Sequence, residues 1–166
     1  TKATAQLMRD LGSIQSPQHA SFLNSSLESL HVRMPQHCRN GLAVARFLEV
    51  SDKVSVVRYP GLESDPDYAL VQKYLPNGTC GVVRFDVAGG RADAERFMAA
   101  LKLCAIETHV ADARSCCLHP ASSTHRQMTD GELVRAGISP SMVRLSCGIE
   151  GTDDLVADVA QALETM

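Results

Sequence analysis

Tryptophan is absent from this sequence, and Phe, Tyr and Trp together make up only 4% of its 166 residues. Single-stranded nucleic acid is held largely on aromatic rings, so this scarcity argues against a base-stacking platform. A basic excess is missing as well. Sixteen Lys and Arg stand against 19 Asp and Glu, a net charge of -3, so there is no surplus to neutralise phosphates and no nucleic-acid partner is expected. No uninterrupted apolar run approaches the ~20 residues of a membrane helix, so no membrane partner is expected either. The opening residues Thr1-Lys2-Ala3-Thr4-Ala5-Gln6 lack the basic-then-apolar order of a signal peptide, which makes a cytoplasmic location the expectation. The first residue is not Met, so the sequence is expected to begin inside a longer protein or to have been processed or trimmed. The six cysteines, Cys38, Cys80, Cys104, Cys116, Cys117 and Cys147, form no CxxC pair and no zinc spacing. No metal site is expected from them.

What is present describes an ordinary globular chain. Apolar residues reach 45% and charged residues 21%, too apolar for disorder. At this length a chain buries roughly 70% of its unfolded surface and folds without disulfide or metal. The cysteines sit mostly in apolar company, as in Leu103-Cys104-Ala105 and Leu145-Ser146-Cys147, and read as buried reduced thiols. The pair Cys116-Cys117 is also open to a redox reading. On a strand, however, the two side chains would point to opposite faces and could not easily bridge.

Residues 1–50 read as a helical arm. Leu7, Met8 and Leu11 form a short stripe that should stop at Gly12. Ser16-Pro17 restarts a helix. Leu23, Leu27, Leu30, Met34, Cys38, Leu42, Ala45 and Leu48 then continue one helical face. Pro35 falls inside this stripe and is expected to kink the helix or split it.

Residues 51–166 alternate between strand and helix. Strands are expected over 53–59, 80–87, 103–106, 115–118 and 142–147. Asp65-Pro66-Asp67 reads as a helix start, with Asp65 as cap and Pro66 as first helical residue. Gly89-Gly90 turns into a helix carrying Ala94, Phe97, Met98 and Leu101. Thr129-Asp130-Gly131-Glu132 has the form of a capping box. Leu155, Val156, Val159 and Leu163 make the apolar face of a closing helix. The fold class is therefore α/β, in α+β two-layer form: a long N-terminal arm, then a small sheet of about four strands packed with helices.

Chemistry has few carriers. Gly89-Gly90-Arg91 before a helix could hold an anion, but it lacks GxGxxG and GK[ST] and reads better as a turn. His119 and His125 flank a polar loop without metal-ligand spacing. Arg144 stands inside an apolar strand whose alternate residues Val143, Leu145 and Cys147 should face the core. Arg144 then shares the other face with Met142 and Ser146. It is either a strand-face salt bridge or a fixed fork gripping a carboxylate or phosphate.

Two segments now carry a resemblance. Val143-Arg144-Leu145-Ser146-Cys147-Gly148-Ile149-Glu150, followed by Asp153-Asp154-Leu155, resembles the closing motif of the Cys/Met-metabolism enzymes that use pyridoxal phosphate. Leu118-His119-Pro120-Ala121-Ser122-Ser123-Thr124-His125-Arg126-Gln127, preceded by Asp112-Ala113-Arg114-Ser115, is similar to the O-acetylhomoserine sulfhydrylase branch of that family. Arg58-Tyr59-Pro60-Gly61-Leu62, and Leu27-Glu28-Ser29-Leu30 with Arg33-Met34, also fit in order and spacing, making four separated motifs. The resemblance spans nearly the whole chain and implies the C-terminal domain of a fold-type I pyridoxal-phosphate enzyme. It implies that Arg144 binds the α-carboxylate of the amino-acid substrate and that Ser115 lies beside it.

The parent would use pyridoxal phosphate to make homocysteine or methionine from O-acetylhomoserine and sulfide or a thiol, as a dimer or tetramer. A cystathionine synthase or lyase of the same family is an alternative, and a non-enzymatic interaction module is another. The cofactor chemistry requires a positioned Lys amine. The lysines here, Lys2, Lys53, Lys73 and Lys102, stand in no matching motif. The chain alone is thus expected to bind no cofactor stably, to hold no catalytic residue and to be inactive.

Overall fold

A computed structural model describes residues 1–12 and 14–166. They form two compact units, Thr1–Val32 and Arg33–Met166.

In the first unit a π-helical stretch, Ala3–Met8, runs into α1, Arg9–Leu11. Gly12 ends it with φ 69°, a left-handed conformation that glycine adopts without steric penalty. Helix α2, Pro17–Glu28, begins with the Ser16 side chain accepting the His19 N–H at 3.2 Å and Pro17 in its first turn. Leu11, Phe22, Leu23 and Leu27 are all exposed within this unit.

Helix α3, Leu30–Glu49, is continuous through Pro35. The expected split falls instead at Ser29, between α2 and α3, where φ is −100° and ψ is 0°. Pro35 is tolerated because it lies near the helix start. The one hydrogen bond it deletes would have gone to the carbonyl of His31, an exposed residue that water can reach.

The second unit is built on a five-stranded sheet, one strand more than the estimate of about four. The strands are β1 (Val54–Arg58), β2 (Val82–Val87), β3 (Ala105–Ile106), β4 (Cys116–Leu118) and β5 (Met142–Ser146), in the order β1-β2-β5-β4-β3. Only β3 and β4 pair in parallel. The other helices are α4 (Tyr68–Tyr74), α5 (Arg91–Ala100), α6 (Asp130–Arg135) and α7 (Thr152–Leu163).

One sheet face is the core. Val83, Phe85 and Val87 of β2, Cys117 of β4 and Val143 and Leu145 of β5 pack with Val44 and Leu48 of α3, Phe97 of α5 and Leu155 and Val159 of α7. Phe85 and Phe97 meet edge to face, 5.4 Å between centroids. Cys104, Cys117 and Cys147 are buried thiols, and desolvation pushes each of them up, away from the reactive thiolate. Cys117 joins the core, while the Cys116 sulfur lies 3.3 Å from the carbonyl of Arg114.

Local signals in this unit resolve in two ways. The capping box forms: Thr129 accepts the Glu132 N–H, and Glu132 accepts the Thr129 N–H at 2.8 Å. The expected start at Asp65-Pro66 does not. The Asp65 carboxylate accepts from Tyr59 N–H at 3.1 Å and Asp67 N–H at 3.0 Å, closing a turn, and α4 begins later, at Tyr68. Tyr59 itself is a buried pin. Its hydroxyl donates to the Cys80 carbonyl at 2.9 Å and accepts from Thr79 at 2.6 Å, and burial pushes its phenol up to about 12.

Candidate functional site

The pleat of β5 sends Val143 and Leu145 into the core and Met142, Arg144 and Ser146 to the opposite face. Arg144 therefore stands where its alternation with apolar neighbours placed it. Its register partners are Arg84 on β2 and Leu118 on β4. These residues share a cavity of about 390 Å³ with Val82, Thr108, Pro120, Thr124, His125 and Met142. One terminal N–H of Arg144 donates to the Thr108 carbonyl at 2.8 Å, which fixes the plane of the guanidinium. Its Nε is buried without a hydrogen-bond partner among the described residues. A guanidinium has five N–H donors. Arg144 thus keeps unused donors beside an apolar floor, an arrangement suited to a carboxylate.

The His119 loop builds the rim. His119 is fully buried, with Nε2 2.8 Å from the Pro140 carbonyl and Nδ1 2.8 Å from the Ser122 hydroxyl. A carbonyl can only accept, so Nε2 donates to Pro140 while Nδ1 is engaged by Ser122. Both ring nitrogens are occupied, which makes His119 a structural pin. Thr124 and His125 follow on the cavity wall, hydrogen-bonded to each other at 2.9 Å. Arg91 ties this loop down from the start of α5. It donates to the Ala121 carbonyl at 2.9 Å and pairs with Asp130, so the Gly89-Gly90-Arg91 turn serves the loop.

Ser115, the other predicted site residue, is fully buried one residue before β4 and does not line the Arg144 cavity. Its hydroxyl accepts the Gly148 N–H at 2.7 Å and donates to Glu150 Oε2 at 2.8 Å. Its own N–H donates to Glu150 Oε1 at 2.6 Å. Gly148 is required there, since a Cβ would lie 2.3 Å from the Ala113 carbonyl and 2.6 Å from the Ser115 nitrogen. Asn40 of α3 locks the same corner by donating to the carbonyls of Gly148 and Glu150 at 3.0 and 2.9 Å. The structure therefore puts Arg144 in a cavity and Ser115 in the joint between β4 and the end of β5.

Sequence reasoning missed three contributors. Arg84 sits in an apolar strand as Arg144 does, and the same alternation argument would have found it. Asn40 gave no local signal, and Glu150 stood in the closing motif without showing its role, because their partners lie more than 100 and 35 positions away.

The residues around the Arg144 cavity do not fit a pyridoxal-phosphate site. The Lys53 amine donates to the carbonyls of Leu163 and Met166 at 3.0 and 3.1 Å, and Lys73 lies over the Tyr74 ring. No lysine lines the Arg144 cavity. No group of three or more His, Cys, Asp or Glu suited to a metal occurs among the described residues. No helix there is long and apolar enough to cross a membrane.

Comparison with known proteins agrees with the motif reading. Residues 1–164 match the model of the Cys/Met metabolism PLP-dependent enzyme family. The chain is 41% identical over 166 residues to an O-acetyl-L-homoserine sulfhydrylase of Leptospira meyeri, covering 99% of this chain and 38% of that protein. It is 40% identical over 160 residues to an L-methionine gamma-lyase of Pseudomonas putida, covering 96% and 40%. A crystal structure from Campylobacter jejuni, assigned as an O-acetylhomoserine (thiol)-lyase and holding N'-pyridoxyl-lysine-5'-monophosphate, superposes with a TM-score of 0.89 at 36% identity, covering 98% of this chain and 39% of that one. The chain thus spans about two fifths of the length of these relatives. With matched residues running from end to end, a matching fold and a family motif around Arg144, this chain belongs to the Cys/Met-metabolism family of pyridoxal-phosphate-dependent enzymes.

Proposed function

We propose that this chain is the C-terminal, substrate-side portion of a pyridoxal-phosphate-dependent transferase that makes homocysteine or methionine from O-acetylhomoserine and sulfide or a thiol. The observation that carries the reading is Arg144: a guanidinium anchored by Thr108, with further terminal N–H donors to offer, at the wall of an apolar cavity. Its role is to hold the α-carboxylate of the amino-acid substrate and so to set the direction in which the substrate's side chain lies. Ser115 acts at one remove, by holding the entry of β4 against the end of β5. Residues 1–50 serve as the arm leading to a cofactor domain, and residues 51–166 as the substrate-side domain. The cofactor, bound elsewhere in the whole enzyme, supplies the electron sink for breaking bonds around the substrate's Cα. The whole enzyme is a homodimer or homotetramer.

The similar identities to a sulfhydrylase and to a methionine gamma-lyase, 41% and 40%, support a lyase as the second reading. The experiment is a product assay on the full-length enzyme. With O-acetylhomoserine and sulfide, the transferase reading expects homocysteine and acetate in equal amounts. Methanethiol, ammonia and 2-oxobutanoate from methionine, with no homocysteine from the first mixture, would replace it with the lyase.

A further inference from the structure

We propose that Arg84 is a second carboxylate-binding residue of the Arg144 site, so that the substrate's α-carboxylate sits between two guanidinium groups. The proposal rests on the reading of Arg144 given above and extends it to a residue with no role so far.

Arg84 and Arg144 are direct register partners on antiparallel strands, and both line the same cavity. Opposed residues in such a pair have Cα atoms about 4.5–5.5 Å apart. Two like charges in that arrangement repel, and a sheet normally avoids placing them there. Each of these arginines also has a buried Nε with no hydrogen-bond partner among the described residues. Arg144 gives one terminal N–H to Thr108 and Arg84 one to Asp86, which leaves terminal donors on both guanidiniums for an acceptor in the cavity they line.

Charge decides what that acceptor is. The cavity wall contains no Asp or Glu. The acidic group paired with either arginine is Asp86, whose carboxylate is 3.4 Å from a terminal nitrogen of Arg84. Two guanidiniums and one carboxylate leave a single positive charge, which one monoanion neutralises. Spacing points the same way. Both side chains rise from adjacent strands into one cavity, so a single carboxylate placed between them is within reach of both. The ligand class is therefore an amino acid held by its α-carboxylate. A rigid fork on each side of that group sets its plane more tightly than one fork can.

The test uses the full-length holoenzyme and the amino-acid substrate it turns over, O-acetylhomoserine or methionine. kcat/KM for that substrate is compared with kcat/KM for its α-carboxamide, in the parent and in Arg84→Ala, Arg84→Gln and Arg144→Ala. The expected result for both Arg84 variants is a fall of about tenfold on the carboxylate, mostly in KM, with the carboxamide changed less than about twofold. Arg144→Ala should lower the same ratio further. If Arg144→Ala collapses the ratio and the Arg84 variants leave it at the parental value, Arg84 is only the partner of Asp86 and the inference fails while the Arg144 reading stands. If no variant changes the ratio, the carboxylate reading of Arg144 fails and this inference with it. An equal loss on both substrates in the Arg84 variants would mark a structural role and also overturn the inference.

Discussion

Ser115 and Arg144 both lie at the antiparallel seam of β4 and β5, yet their polar atoms have opposite fates. The Ser115 hydroxyl accepts one hydrogen bond and donates another, and its backbone N–H is taken as well. Arg144 spends one donor on Thr108 and buries another without a partner. A saturated polar group has no capacity left for a ligand, and its removal is felt as lost stability. An unsaturated one beside an apolar cavity adds little to the fold and has donors to offer. Stability and binding are thus divided between two positions along one seam.

The sharpest way to break this comparison is to remove Arg144. Truncating one partner of a desolvated, hydrogen-bonded charge pair costs roughly 2–5 kcal/mol. At about 1.4 kcal/mol per factor of ten, Arg144→Ala in the full-length enzyme should lower kcat/KM by about 30-fold or more. Its melting temperature should stay close to that of the parent. Steady-state kinetics alongside thermal unfolding checks both halves.

Ser115→Ala should show the converse. It leaves the Gly148 N–H and the Glu150 carboxylate short of a partner at a buried joint, at a cost of about 1–3 kcal/mol. For a domain of this size that is a melting-temperature drop of about 2–12 °C. A variant that melts with the parent would show the joint to be dispensable.

Asp158 gives a smaller, pH-dependent contrast. It lies on α7, and its carboxylate accepts the N–H groups of Lys102, Leu103 and Cys104 at 2.8, 2.9 and 3.1 Å. Burial pushes its carboxyl up, but the backbone donors outweigh that and hold it below the ordinary carboxylate range. A group whose pKa is lowered on folding stabilises the native state above its unfolded pKa, and that stabilisation is lost as pH falls through the folded value. Asp158→Asn should therefore be less stable than the parent at pH 7, and the gap should narrow in denaturant titrations carried toward pH 3. A gap independent of pH would assign the loss to packing.

How much of this was legible beforehand depended on range. The period of two in Val143-Arg144-Leu145 placed Arg144 correctly on the face away from the core, because alternation is a local property of a strand. Gly12 and the Thr129 box were equally local. Ser115 was read through a motif, and its actual partners come from Gly148 and Glu150, more than 30 positions away. No local pattern encodes that closure. Arg84 had the right alternation, but its meaning depended on the register of β2 against β5, which only the folded sheet supplies. Asp65 was misplaced as a helix cap, because the strand end at Tyr59 claims its carboxylate and α4 begins only at Tyr68.

The central claim is that Arg144 acts as an oriented fork and not merely as a positive charge. Arg144→Lys in the full-length enzyme tests it most directly, because it restores the charge without the paired, planar donors. The account predicts a folded enzyme whose kcat/KM on its amino-acid substrate lies above that of Arg144→Ala and still at least about tenfold below the parent. A Lys variant that turns over within about threefold of the parent would contradict it.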